Sequence, residues 1–463
     1  MFRKDGRKYN IKDTGNARDV ALFVLLEITE NSRKSNTILN ETFEESERFG
    51  WGLTTTDRAF ITKIVVGTLT RLISIDVVLS RFLKKSIKLQ KPVIRGILRM
   101  SLYQLMYMDR VPHSAVCNEA VKLAKMHGLD GLSGFVNGVL RSAARDIEAG
   151  GEKTSVEGLE EAYKYSLPKW MWKLFYDEFG KEAACELAEA LLFERCDTVR
   201  LNLSRIDAKE PERAAAESLM EDGFVIEPVD MEDIIRKNGL STPDGRLPVV
   251  YKISGGDISR ARAFKKGWLT VQDPASALVA SYAAPKDSDV IIDVCAAPGG
   301  KSLALSDLMN GNGRIEARDV SSQKVRLIND NIKRCGFDNI KTQILDALKH
   351  DEESLYRADI VIADLPCSGL GVIAKKPDIK LNLKPYSVEE LRDMQRDILE
   401  NVSRYVKPKG RLIYSTCTVS KEENEQNAAW IADELGFKMI SSNRLMPSID
   451  NDGFYIAVFE KKY

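Results

Sequence analysis

Two cysteines and three aspartates occupy the positions where alternating strands and helices expose their chemistry. Cys367 in "DLPCSGLG" and Cys417 in "YSTCT" each follow a predicted strand, and Asp319, Asp346 and Asp364 each close one. Open sheets of this kind bind ligands beyond the carboxyl ends of their strands, so the five residues share one rim. A lone strand-terminal aspartate is more often a helix cap, and a lone cysteine in an apolar strand is usually a small hydrophobe. Three acids in register beside a Gly-Gly turn, with thiols at adjacent strand ends, read instead as a site. Such acids repel a polyphosphate. They suit a ligand with positive charge, ribose hydroxyls and an exocyclic amine, as S-adenosylmethionine has. Beside a methyl donor a thiolate has a defined use. Ring carbon 5 of a pyrimidine is a poor nucleophile until a thiolate adds to carbon 6 and makes carbon 5 enamine-like. The second thiol, or a base near it, would then assist loss of the carbon-5 proton and release of the enzyme.

The stretch "VIIDVCAAPGGKS" (290–302) ends like a nucleotide-phosphate loop. The G-x-x-x-x-G-K-S/T pattern fails at its first glycine, which here is Cys295, and Pro298 removes an amide donor from the loop. What remains is a strand-to-helix turn in which Gly299 and Gly300 let a ligand approach the backbone closely. Asp319 follows roughly twenty residues on, where dinucleotide folds place the acid that grips ribose hydroxyls.

These residues need a scaffold, and the periodicities supply one. Residues 16–145 read as helix after helix, with Ala17, Val20, Ala21, Val24, Leu25 and Ile28 on one face of the first. "EAGGEKTSVEG" (148–158) is a linker. Strand-like "TVRLNL", helical "EPERAAAESLMEDG" and short "FVIEPV" then suggest a small α+β unit. From about residue 268 the rhythm becomes strand-then-helix, with "DVIIDV", "GRIEARDV", "IKTQILD", "ADIVIADLP", "GRLIYSTC" and "GFYIAVFEK" as strands. This is the pattern of a doubly wound, mostly parallel, Rossmann-like sheet. The expected domains are therefore 1–147, all-α; 148–267, linker and small α+β subdomain; and 268–463, the α/β domain.

Composition narrows the function classes. A chain of 463 residues suits two or three domains. Lys+Arg and Asp+Glu are 68 each, which excludes a globally basic nucleic-acid glove but not a local basic face. No apolar run is long enough for a membrane span and no signal peptide is evident, so the expected location is the cytoplasm. The seven cysteines lack paired C-x-x-C spacing, which argues against a metal site or a disulfide framework. The three histidines, His113, His127 and His350, lie outside the chemical motifs, so an imidazole base is not expected.

At "DVCAAPGGKS", "DLPCSGLG", "KKPDIK" and "YSTCTVSKEENE" the chain resembles RNA cytosine-5 methyltransferases of the NOL1/NOP2/Sun superfamily. "GWLTVQDPASALVA" resembles that family's lead-in to the catalytic domain. "DRAFITKIVVGTLTR", "ILRMSLYQLMYMDRVPHSAVCNEAVKLAK" and "GFVNGVLRSAAR" resemble a NusB-like RNA-binding fold. The combination is similar to the RsmB/Sun branch, which acts on 16S ribosomal RNA. The resemblance implies a NusB-like domain, an RRM-like RNA-binding subdomain and a class I S-adenosylmethionine-dependent methyltransferase domain in a monomer. It implies that Cys295, Ala296, Ala297, Pro298, Gly299, Gly300 and Lys301 line the cofactor. Asp319 would hold the ribose, Asp346 the adenine side, and Asp364 the cofactor or the cytosine ring. Cys417 would be the nucleophile and Cys367 would help resolve the covalent intermediate. The chain departs from the branch at Lys376 and Leu381, where His and Trp are usual, and at "LDAL", where "GDG" surrounds the third-strand acid.

Basic stretches "FRKDGRKYNIK", "RAFKKG" and "IAKKPDIK" are candidates for phosphate contact, although a charge run is more often a solvated face. Two rival readings stand beside the enzyme. One is a non-catalytic RNA-binding or antitermination module, which has no use for two rim cysteines. The other is the same chemistry on tRNA or DNA.

Overall fold

In the computed structural model, which describes residues 9–462, the N-terminal apolar stripes form seven successive helices. They are α1 (Ala17–Asn31), α2 (Ser35–Arg48), α3 (Thr55–Thr70), α4 (Leu72–Ser80), α5 (Pro92–Tyr107), α6 (His113–Met126) and α7 (Ser133–Glu148). Their starts follow from local chemistry. The Asn16 side chain accepts from the backbone N–H groups of Arg18 and Asp19, Thr54 and Asp57 form a reciprocal capping box, and Pro92 fills the first turn of α5. Helix α1 runs through the centre, buried from Asp19 to Ile28. Of its two buried carboxylates, Asp19 and Glu27, Asp19 is satisfied by the amides of Lys12 and Asp13 at 2.6 and 2.8 Å and by His127 Nε2 at 2.6 Å. Three helices follow in the same unit: α8 (Glu161–Lys164), α9 (Lys169–Phe179) and α10 (Lys181–Ala190).

The second unit begins at Arg195. Strand β1 (Asp197–Leu201), α11 (Pro211–Glu221), β2 (Val225–Pro228), α12 (Met231–Lys237), β3 (Val250–Ser254), α13 (Arg262–Lys265) and β4 (Leu269–Val271) make an antiparallel sheet ordered β2-β3-β1-β4, with two more strands than the sequence rhythm suggested. Helix α14 (Pro274–Ala283) leads into the large sheet.

That sheet alternates β5 (Val290–Asp293), α15 (Gly300–Leu308), β6 (Arg314–Asp319), α16 (Ser322–Cys335), β7 (Ile340–Ile344) and β8 (Ala358–Asp364). After α17 (Ile379–Asn382) and α18 (Ser387–Val402) come β9 (Val406–Thr416), α19 (Glu425–Glu434), β10 (Phe437–Leu445) and β11 (Phe454–Lys461). The order is β10-β11-β9-β8-β5-β6-β7; β5 to β9 pair in parallel, and β11 pairs antiparallel with both β9 and β10. The fold is the expected multidomain one, a helical bundle followed by a Rossmann-like sheet. From β5 the chain winds one way through β6 and β7, then returns to the other side of β5 at β8. This reversal opens the ligand crevice at the carboxyl ends of β5 and β8. Strand β10 escaped the sequence reading because "FKMISSNRL" is an edge strand whose polar residues and exposed Ile440 give weak apolar alternation.

One excursion breaks the simple domain order. Residues 373–383, which leave the sheet after β8, belong to the helical unit, not to the unit that contains their neighbours in sequence. There Leu381 packs on the helical core, Asp378 accepts from the Ser35 hydroxyl, and Lys380 is buried. Among the described residues no helix is long and apolar enough to cross a membrane.

Candidate active site

The carboxyl edge of the large sheet brings the sequence-selected residues together in two groups. At the first, β5 ends in Asp293 and the chain turns through Cys295–Gly299 into α15. Ala296 N donates to the Arg318 carbonyl at 2.8 Å and Ala297 N to Asp319 Oδ2 at 3.0 Å, so the loop is tied to the end of β6. Gly299 takes a left-handed φ of 105°, a conformation that favours glycine. The Cys295 thiol is a neutral group, its pKa pushed far up by burial and then by the negative charge of Asp293. It contributes shape and backbone, not a thiolate.

Asp319 also accepts from Val320 N at 2.8 Å and pairs with Lys324 at 2.9 Å, which fixes both carboxylate oxygens at the strand end. Asp346, just past β7, is only partly buried and accepts from Leu348 N at 3.1 Å. Lys301 does not extend along the loop. Its ammonium pairs with Asp364 Oδ2 at 2.6 Å and lies 5.2 Å from the centre of the Phe454 ring, while Ser415 Oγ donates to Asp364 Oδ1 at 2.8 Å. Asp364 is thereby held between the first helix of the sheet and β9.

Asp293 is a residue that the sequence reading passed over. It is fully buried; Oδ2 accepts from Ser302 Oγ at 2.7 Å, and Oδ1 has no hydrogen-bond partner among the described residues. Burial, then opposed by Ser302, pushes its pKa up to about 7. The signal was in plain view, an acid closing the first strand of the quoted motif. A buried orphan acceptor closing β5, acids closing β6 and β8 and a half-open Asp346 past β7 gather acceptors at the carboxyl ends of four strands. That donor–acceptor chemistry fits a ligand rich in hydroxyl and amine donors.

The second group holds the thiols. Strands β8 and β9 are parallel neighbours with Asp364 opposite Ser415, so the loops that leave them start side by side. This register puts Cys367 Sγ 3.2 Å from Cys417 Sγ. Cys417 is partly buried, its carbonyl accepting from Gly371 N at 3.1 Å. The Cys367 thiol is held protonated: its hydrogen bond with Cys417, then burial, raise its pKa well above the ordinary thiol value. Two thiols at this separation can bear on one bound ring and pass a proton between them.

Comparison with known proteins fits this geometry. The family model described as 16S rRNA methyltransferase RsmB/F matches residues 280–434, and the NusB family model matches residues 15–145. A Bacillus subtilis (strain 168) protein named "Probable ribosomal RNA small subunit methyltransferase B" is 33% identical over 471 residues, covering 96% of this chain and 98% of its own. The chain belongs to the RsmB/F methyltransferase family. Its methyl donor is S-adenosylmethionine, for which the crevice chemistry described above is suited. Ribosomal RNA small subunit methyltransferase B of Vibrio vulnificus (strain YJ016) is 27% identical, covering 96% of this chain and all of its own. The crystal structure of PH0851 has the same fold over 98% of this chain, with a TM-score of 0.76 at 24% identity. NSun6 from Pyrococcus horikoshii, determined with SFG, an S-adenosylmethionine analogue, covers 64% of the chain with a TM-score of 0.53.

The candidate phosphate contacts fare unevenly. Lys265, Lys266 and Lys376 are exposed, as a phosphate contact requires. Lys380 is not: it is buried in the helical unit, donating to the Thr70 carbonyl and lying 3.5 Å from Ser166 Oγ. Residues 2–8 of "FRKDGRKYNIK" lie outside the described residues.

Proposed function

We propose that this chain methylates ring carbon 5 of a cytidine in 16S ribosomal RNA through a covalent cysteine–pyrimidine intermediate. The observation that carries the reading is the 3.2 Å approach of Cys367 and Cys417 beside the Asp364–Lys301 pair, at the sheet edge where the family binds its methyl donor. The relatives named as small-subunit ribosomal RNA methyltransferases support the choice of RNA. S-adenosylmethionine, when bound, supplies an electrophilic methyl group; Cys295–Lys301, Asp293, Asp319 and Asp346 are the residues proposed to hold it.

Cys417 acts as nucleophile. As the thiolate, its proton shed to solvent, its sulfur forms a bond to ring carbon 6; the carbon 5–carbon 6 π pair moves to carbon 5 and takes the methyl group as the methyl–sulfonium bond breaks. Asp364, fixed by Lys301 and Ser415, is placed to hold the cytosine ring during attack. Loss of the carbon-5 proton to a base near Cys367 returns the electron pair to the ring and expels the Cys417 thiolate, and the protonated Cys367 thiol assists by donating a hydrogen bond to the leaving sulfur across the 3.2 Å contact. The ring must be unpaired or extruded for the thiolate to reach it. The RNA-binding roles of the NusB-like helices and of the small antiparallel sheet, the domain limits 147/148 and 267/268, a monomeric state and a cytoplasmic location belong to the same proposal.

Labelled S-adenosylmethionine and a 16S rRNA transcript test it, with bisulfite mapping of rRNA from a strain lacking the gene to find the base. Label at carbon 5 of one cytidine is expected. Incorporation only into tRNA or DNA, or none, refutes the assignment. Cys417→Ala should abolish both methyl transfer and any protein–RNA adduct, whereas Cys367→Ala should accumulate the adduct.

A further inference from the structure

Behind the two thiols lies a polar cluster that the reaction itself does not use. Its centre is Glu423, fully buried within "SKEENEQN" just before α19. One carboxylate oxygen accepts from the backbone N–H of Ser368 at 2.9 Å and from Gln395 Nε2 at 3.0 Å; the other accepts from the Ser368 hydroxyl. That hydroxyl lies 2.7 Å from Thr418 Oγ1. Gln395 also donates to the Pro366 carbonyl at 2.9 Å. Pro366 and Ser368 flank Cys367, and Thr418 follows Cys417. One carboxylate thus holds both sides of the Cys367 loop and reaches the Cys417 loop through Thr418.

The two loops are not held alike. Cys417 has anchors of its own: Thr416 donates through its hydroxyl to the Asn424 side chain, Asn424 Nδ2 donates to the Thr418 carbonyl at 3.0 Å, and Gly371 N donates to the Cys417 carbonyl. Without Glu423, Cys417 keeps those bonds while the Ser368 amide and hydroxyl lose their acceptor. The carboxylate also stands close enough to add to the upward shift of the Cys367 pKa, behind the Cys417 contact and burial.

We infer that Glu423 is a positioning residue that acts through Cys367, and that it governs release of the covalent intermediate, not its formation. The inference rests on the covalent mechanism proposed above. Glutamine at this position preserves an acceptor for the Ser368 amide and is expected to rescue; alanine is not.

The test uses the full chain with a 16S rRNA transcript and labelled S-adenosylmethionine, and measures adduct formation and adduct decay separately. For Glu423→Ala the decay should slow by about tenfold, the loss of charge-assisted bonds to the Cys367 loop, while formation stays within about threefold of the parent. Glu423→Gln should decay within about threefold of the parent. Equal loss of both steps, or a glutamine variant as defective as alanine, overturns the inference. Should Glu423→Ala fail to fold, Ser368→Ala takes its place by removing one hydroxyl bond; slowed decay supports the inference and unchanged decay overturns it. Cys417→Ala runs in parallel. If that variant still methylates, the covalent mechanism falls and this inference with it; if it is inactive while Glu423→Ala decays normally, only the inference falls.

Discussion

Replacing Lys380 by methionine should stabilise the helical unit near neutral pH and remove a pH dependence. Lys380 is 3% exposed, and its pKa is pushed down from 10.5 to about 7, first by burial and then by the charge of Arg71. Between those two values the unfolded chain carries the proton and the folded chain does not, so stability rises with pH across the window. Below about pH 7 the folded protein holds a buried ammonium. The separation of about 3.5 pH units, at roughly 1.36 kcal/mol each, makes that penalty about 5 kcal/mol. The lysine offsets part of it through its bonds to the Thr70 carbonyl and Ser166, worth about 1–3 kcal/mol. Lys380→Met should therefore gain about 2–4 kcal/mol at pH 6 and fall below the parent by pH 10, when only the lost hydrogen bonds count. Urea unfolding of the full chain with pulse proteolysis, reading peptides from residues 9–194 and 373–383, gives the stability of this unit at each pH. A variant less stable than the parent at pH 6, with an unchanged pH slope, refutes the reasoning. It would mean that the ammonium finds water or an anion in the folded chain.

Two other substitutions probe the sheet edge. Asp293→Asn removes a carboxyl whose pKa is raised to about 7, so the folded parent loses stability as pH rises from about 4 to 7. The variant should be more stable than the parent at pH 8, by up to about 4 kcal/mol, and equal to it at pH 4; thermal unfolding at both values checks this. The same variant should bind S-adenosylmethionine more weakly by equilibrium dialysis, since its orphan acceptor becomes an amide. Gly453→Ala puts a methyl group against the Gly371 backbone, Pro447 and Val419, at 2.7 to 2.9 Å. Because Gly371 N in turn holds the Cys417 carbonyl, the variant should lose about 1–3 kcal/mol of stability and methyl-transfer activity together. Normal activity in a folded Gly453→Ala protein would show that this backbone contact does not support the thiol loop.

The legible part of the molecule is the part where residue type and period coincide. Apolar stripes at helical spacing became α1 to α7, and strand-like runs ending in acids became β5, β6 and β8, while β7 stops at Ile344, two residues short of Asp346. Cys367 and Cys417 could be placed on one rim since β8 and β9 are parallel neighbours that end in register, and that pairing follows from the strand-then-helix order. What stayed hidden was set by tertiary contact. Lys380, in a stretch with two other lysines, reads as a solvated charge; only the return of residues 373–383 to the helical unit buries it. Glu423 likewise sits in "KEENE", where consecutive acids read as surface, and its burial depends on donors brought from Ser368 and Gln395.

Both hidden residues are buried ionisable groups held by specific hydrogen bonds, and both lie in segments that leave the sheet next to a thiol. A chain needing only a stable fold would fill such positions with apolar side chains, since replacing buried charge by well-packed hydrophobes is often neutral or stabilising. Lys380 carries that cost away from the crevice, in an excursion that starts six residues after Cys367. Glu423 carries it while gripping the Cys367 loop on both sides. The difference in what each charge touches is why substituting the first should read out in stability and the second in the lifetime of a protein–RNA bond.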